Sequence, residues 1–61
     1  MITLDAYTLY ITNELLQYVD KEEVKKITNF YNDAITDGYL LKRSASEIIK
    51  EIKLLEDLCE F

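Results

Sequence analysis

SASEIIKEIKLLEDLCEF, residues 44–61, is the stretch that decides the fold. Ser44 and Glu47 match a capping box, in which the serine hydroxyl accepts from the Glu47 amide and the glutamate reaches back to the Ser44 amide. Beyond this start, apolar side chains recur on one side of a helix that turns about 100° per residue. The expected core stripe consists of Ala45, Ile48, Ile52, Leu55 and Cys59, with Ile49 beside it. We therefore predict an amphipathic helix over about 45–60.

The same helix carries a second apolar strip more than a quarter turn from the core stripe. It consists of Leu54, Leu58 and Phe61. Two interpretations stay open: either a small bundle buries one broad arc of this helix, or one strip faces the core and the other faces a partner. Because an apolar face this wide is unusual on a solvated helix, we count these three residues among the candidate partner-binding residues.

A first helix is expected over about 4–19, with Thr3 as its N-cap and Asp5 in its first turn. The stretch from Tyr7 to Thr12 is rich in β-favouring residues and could form a short strand. Spacings of three and four that persist for four turns favour the helix. Its expected core face consists of Leu4, Tyr7, Ile11, Leu15 and Tyr18.

A row of apolar residues lies opposite that core face. Ile2, Leu9 and Leu16 recur at intervals of seven, which is the minimal pattern of a helix-pairing seam. Single apolar residues on a surface are also normal and need no explanation. Tyr10 lies off the core face as well, and tyrosine is enriched at recognition surfaces. We predict partner binding at these four residues and a homodimer through this row or through the strip on the last helix.

A second helix is expected over about 21–37. Asp20 with Glu23 repeats the capping pattern, and Asp37 followed by Gly38 predicts the helix end, with Gly38 in the left-handed conformation. Its expected buried arc consists of Val24, Ile27, Phe30, Tyr31, Ala34 and Ile35. The connector at 39–43 either tucks its leucines under the bundle or serves as a docking loop.

The chain has no proline and one glycine, so few residues interrupt helices. The expected fold is all-α: a small three-helix bundle, with helices about 4–19, 21–37 and 45–60, forming a single helical domain over 1–61. A domain of this size is marginally stable, at roughly 3–9 kcal/mol. One cysteine closes no intrachain disulfide, and without histidine we expect no metal site. Self-association is the remaining means of stabilisation.

Composition narrows the function classes. Twelve acidic against seven basic residues give a net charge of −5, which opposes direct nucleic-acid binding. We find no apolar run of about twenty residues and no signal-peptide pattern, so we expect a cytoplasmic protein without membrane contact. The abundance of residues with A/T-rich codons suggests a low-GC bacterium or its phage.

Catalytic chemistry has little support in this sequence. There is no histidine, and Cys59 on the expected core face is typical of an inert buried thiol. We expect neither an enzyme nor a cofactor. The acidic cluster of Glu56, Asp57 and Glu60 opposes the dipole of the last helix. It is either a solvated end of the chain or a surface that meets a basic partner.

The favoured hypothesis is a non-enzymatic protein–protein interaction module, a small regulator or inhibitor of phage or mobile-element type that binds a protein target with a basic or apolar surface. The alternative is an acidic mimic of DNA that blocks a DNA-binding protein. A helix-turn-helix DNA-binding protein is less favoured. The span from Asp37 to Ser46 is long for that turn, and the reading helix would carry Glu47 and Glu51.

Overall fold

A computed structural model describes residues 2–58 of the chain. This part is all-α, as the sequence predicts, and contains no strand. The predicted count of three helices is wrong, because the expected second helix is divided at Tyr31. The four helices are α1 (Leu4–Leu15), α2 (Lys21–Phe30), α3 (Asn32–Leu40) and α4 (Ala45–Leu55).

Three helices begin at the predicted N-caps. The Thr3 hydroxyl accepts from the Ala6 amide at 3.1 Å, and the Ser44 hydroxyl accepts from the Glu47 amide at 3.3 Å. The Asp20 carboxylate likewise accepts from the backbone amide three residues on, at 2.9 Å. Each cap satisfies an amide that the first turn of a helix leaves without a partner.

The core is a single cluster to which all four helices contribute. The sequence pattern predicted eight of its buried residues on helix faces and Ile49 on a shoulder. The cluster consists of Tyr7, Ile11, Leu15, Val24, Ile27, Ile35, Ile48, Ile49 and Ile52. Other residues expected in the core are exposed, namely Leu4, Phe30, Ala34 and Leu55. Cys59 lies outside the described residues.

Tyr31 interrupts the expected second helix. Its backbone leaves the α-helical region, at φ −98° and ψ 17°, and its hydroxyl donates to the Glu56 carboxylate at 2.6 Å. The apolar arc predicted for one continuous helix is therefore shared between two shorter ones. Phe30, the last residue of α2, is 79% exposed and contacts the Tyr31 ring edge-on.

The predicted helix end at Gly38 is wrong, because α3 continues to Leu40 and Gly38 does not have positive φ. The left-handed residue is Lys42, at φ 62°. The Arg43 amide donates to the Gly38 carbonyl at 2.8 Å, and the Lys42 amide donates to the Tyr39 carbonyl at 3.1 Å. These two bonds form a Schellman motif at the end of α3.

A second Schellman motif ends α4 earlier than predicted. Asp57 is left-handed at φ 57°, and the Leu58 amide donates to the Lys53 carbonyl at 2.7 Å. An apolar residue at the position of Leu58 commonly packs back onto its own helix, and Leu58 is half-buried against the core. The first helix is also shorter than predicted, since turns follow Leu15.

Candidate functional site

The outer face of α1 presents its predicted apolar row to solvent. Ile2, Leu9 and Leu16 are 55%, 59% and 42% exposed, and Tyr10 is exposed near them. Of the six exposed residues of α1, only Asp5 is charged, whereas five of the seven exposed residues of α2 are charged. The outer face of α1 therefore lacks the charges that usually cover the solvated side of a helix.

A groove of about 600 Å³ lies where the N-terminal segment, the end of α3 and the start of α4 meet. Aromatic side chains build its floor: the rings of Tyr7 and Tyr39 pack edge to face at 5.4 Å between centroids. Their hydroxyls donate to backbone carbonyls, Tyr7 to Arg43 at 3.0 Å and Tyr39 to Ile2 at 2.8 Å. The lining consists of Ile2, Tyr7, Tyr39, Leu40, Lys42, Arg43, Ser44 and Ala45. We call this feature the groove.

The two basic residues at the groove differ in their surroundings. Arg43 donates from Nη2 to Glu51 at 2.6 Å and from Nε to Glu47 at 3.2 Å. The hydrogen bonds to these carboxylates raise the pKa of Arg43, and the bond from Arg43 lowers the pKa of Glu51. Lys42 is exposed and forms no salt bridge within residues 2–58. The available cation at the groove is therefore that of Lys42.

Leu40 lines the groove, and Leu41 projects beside it. Both are exposed, Leu41 by 74%. The alternative in which the connector leucines tuck under the bundle is therefore wrong. The turn that ends α3 holds these side chains outward, since its hydrogen bonds fix the backbone from Gly38 to Arg43. The sequence marked this connector as a candidate docking loop but gave no sign of the groove, which depends on α3 extending past Gly38.

The predicted strip on the last helix does not form one surface within the described residues. Leu54 is exposed, but Leu58 packs against the core, because α4 ends at Leu55 and the chain turns back. Phe61 lies outside the described residues. Leu54 and Leu58 would share one face only if the helix continued through both residues, and the second Schellman motif ends the helix between them.

The predicted acidic cluster is only partly described, since Glu60 lies outside the described residues. Glu56 accepts the hydrogen bond from the Tyr31 hydroxyl, and this bond, more than burial, raises the pKa of Tyr31. Asp57 occupies the left-handed position of the turn, which aspartate tolerates better than most residues. Both acidic residues thus have a structural role at the end of α4.

The connector between α3 and α4 is shorter than the sequence suggested. Only residues 41–44 separate the two helices, so the length objection to a helix-turn-helix is wrong. The charge of α4 still argues against a helix-turn-helix DNA-binding protein. Glu47 and Glu51 lie on α4 and hold the guanidinium of Arg43, so this face presents carboxylates where phosphate contacts would be needed.

Residues 2–58 contain no cluster of acidic, histidine or cysteine side chains able to hold a metal ion. Within the same range, no helix combines the length and apolar character needed to cross a membrane. Comparison with protein-family models, with curated proteins and with solved structures finds no match to this chain.

Proposed function

We propose that this chain is a non-enzymatic protein–protein interaction module, a small regulator or inhibitor that acts by binding a protein target. One observation carries the proposal: the described residues expose ten large hydrophobic side chains and bury nine. Single exposed leucines are ordinary on a protein surface. Three of the exposed side chains, those of Ile2, Leu40 and Leu41, lie in or beside the groove, and exposed apolar residues gathered in this way are typical of recognition surfaces.

The groove is the surface that we propose for the target. Its lining offers apolar contact through Ile2, Tyr39 and Leu40, while Tyr7 is buried. The rings of Tyr7 and Tyr39 are held in place by their hydroxyl bonds to backbone. Rigid aromatic anchors lose little conformational entropy when a partner binds. Leu41, next to the lining residue Leu40, extends the apolar area beyond the groove. The proposed target surface is therefore an apolar segment, such as one face of a helix.

The charges of this chain indicate which charged groups the proposed target carries. Lys42 places a cation at the rim of the groove, while the chain as a whole carries a net charge of −5. A target with an acidic group beside its apolar residues fits the rim, and basic groups further away fit the remainder of the surface. Exposed charges of this kind affect association rates and selectivity more than affinity.

Affinity capture with matched variants tests the proposal. The tagged chain would be incubated with an extract of the cells that encode it, alongside Leu41→Glu and, as a control, Phe30→Glu. Both replaced side chains are exposed, but Phe30 lines a different pocket that shares no residue with the groove. We expect one protein to be retained by the wild type and Phe30→Glu and to be lost with Leu41→Glu.

The same experiment at low and high salt separates this proposal from the acidic DNA mimic. Binding through apolar contacts should persist at 1 M salt, where the Debye length is about 3 Å, whereas charge mimicry should be screened. If no protein distinguishes the wild type from Leu41→Glu at either salt concentration, target binding at the groove is wrong.

A further inference from the structure

We infer that the outer face of α1 binds the same face of a second copy in an antiparallel, two-fold arrangement centred on Leu9. This inference goes beyond target binding at the groove. All three apolar residues of the row are exposed. Leu9 lies within α1 and Leu16 is its C-cap, so these two share one face of the helix, whereas Ile2 precedes the extended N-cap residue Thr3. Residues seven apart on one helix face present a seam to another helix, and the segment that carries Ile2 adds an exposed apolar residue beyond the start of that helix.

The seam is complementary to itself in one direction. Leu9 lies midway between Ile2 and Leu16. In an antiparallel pair, Leu9 therefore meets Leu9 of the second copy, and the N-terminal segment that carries Ile2 lies beside Leu16 at both ends. A two-fold interface requires this kind of self-matching, since each contact must occur twice.

The polar neighbours match in the same register. Asp5 and Asn13 are equally far from Leu9, on opposite sides along the chain, and both are exposed. Antiparallel pairing places the Asp5 carboxylate opposite the Asn13 amide, which can donate to it. A parallel pair would instead place Asp5 against Asp5. In the antiparallel pair, the two Asp5 positions are about 12 Å apart along the axis, at 1.5 Å per residue.

Charge also favours a second copy over a different, highly charged partner. The exposed residues of α1 include no basic residue and only Asp5 as an acid, so two such faces can meet without large like-charge repulsion. The competing strip on α4 offers less, since Leu58 packs against the core of its own chain. One helix pair is a small interface, and we expect a dissociation constant in the micromolar range.

Sedimentation velocity measures the self-association directly. We expect the wild type to form dimers as its concentration rises to about 200 µM, because this concentration exceeds the micromolar dissociation constant expected for a small interface. Leu9→Glu places two carboxylates together at the centre, so the dimer should weaken about a hundredfold or more. Leu9 is exposed, so the helical circular dichroism of this variant should be unchanged. Leu54→Glu, on α4, should dimerise like the wild type.

Cross-linking of single cysteines tests the direction of pairing. With Cys59 replaced by serine, Leu9→Cys alone should be joined by a short bismaleimide. Leu16→Cys alone should not be joined, whereas a mixture of Ile2→Cys and Leu16→Cys should form a mixed cross-linked dimer. Efficient cross-linking of Leu16→Cys alone would show a parallel pair and overturn the arrangement.

Ile2 belongs to both surfaces, so the tests that distinguish them use Leu9 for the α1 pairing and Leu41 for target binding. A wild type that sediments as a monomer throughout the range overturns the α1 pairing and leaves target binding at the groove intact. Leu41→Glu changes a side chain beside the groove and should not change sedimentation. Loss of dimer with Leu41→Glu, at unchanged helicity, would contradict the assignment to α1.

Discussion

A β-carbon added to Gly38 would lie 2.6 Å from Cδ1 of Ile48. The same atom would be 3.1 Å from the Tyr7 hydroxyl, so at Gly38 the side chains of α1 and α4 closely approach the backbone of α3. The role of this glycine is close packing of helices, because it lies within α3 and has no positive φ. The Tyr7 hydroxyl that supports the groove depends on this approach.

Gly38→Ala should therefore destabilise the fold. Alanine gains about 1 kcal/mol in helix propensity, but overpacking in a well-packed core costs about 1–3 kcal/mol. Ile48 is buried, so its side chain has little room to move. We expect a net loss of about 1 kcal/mol in the free energy of unfolding, measured by urea denaturation. Adding Ile48→Val removes the Cδ1 atom and should recover part of the loss. A more stable Gly38→Ala variant would contradict this packing.

Lys42→Gly should have the opposite effect. Lysine at φ 62° carries the steric cost of the left-handed conformation, about 1–2 kcal/mol, which glycine avoids. Part of the gain is lost to the greater freedom of glycine in the unfolded chain. We expect a stabilisation of about 0.5–1 kcal/mol in thermal or urea unfolding. Lys50→Gly is the control, since Lys50 is exposed within α4, and the same change there should destabilise by about 1 kcal/mol.

Tyr7→Phe should weaken the groove and the fold together. The variant keeps the ring but leaves the Arg43 carbonyl without its hydroxyl donor, at an expected cost of about 1 kcal/mol. Tyr39→Phe removes a more exposed hydrogen bond and should cost less.

Burial also raises the pKa of Tyr7. The folded state thus holds this proton longer than the unfolded state, so stability falls as the pH rises above about 10. Tyr7→Phe should lose less stability over that range.

At acidic pH, the ion pair of Arg43 should contribute a pH dependence. The hydrogen bond from Arg43 lowers the pKa of Glu51 in the folded state. The ion pair therefore stabilises the folded state fully above the ordinary pKa of a carboxyl group, about 4.3. This stabilisation is lost as the pH falls through the lowered pKa of Glu51. As the pH is lowered below about 4.3, the melting temperature of Glu51→Gln should fall less steeply than that of the wild type. Glu22→Gln, which removes an exposed carboxylate of α2, should retain the steep fall.

Local sequence patterns predicted the helical class, the three N-caps and most of the core. These features depend on residues three or four apart, such as Ser44 with Glu47 or Ile48 with Ile52. The break at Tyr31 instead coincides with a contact to a residue 25 positions away, since the Tyr31 hydroxyl donates to Glu56. A single sequence gives no signal for such a pairing, and Phe30, which directly precedes the break, was expected in the core but is exposed.

The helix ends were missed for a related reason. Glycine is the usual left-handed residue after a helix, and Gly38 was interpreted in that way. The turns instead place Lys42 and Asp57 in the left-handed conformation. The groove follows from the first of these turns, and the inward packing of Leu58 follows from the second. The exposure of the α1 row could be predicted, since its spacing of seven opposes the core face.

Site-specific photocross-linking in living cells tests the central claim, protein binding at the groove, most directly. A photoreactive amino acid would replace Leu41 in one version of the chain and Phe30 in another, since both side chains are exposed on different surfaces. We predict a cross-linked product with a protein of different mass from position 41 and not from position 30. No such product from position 41, or the same products from both positions, would contradict the proposed function.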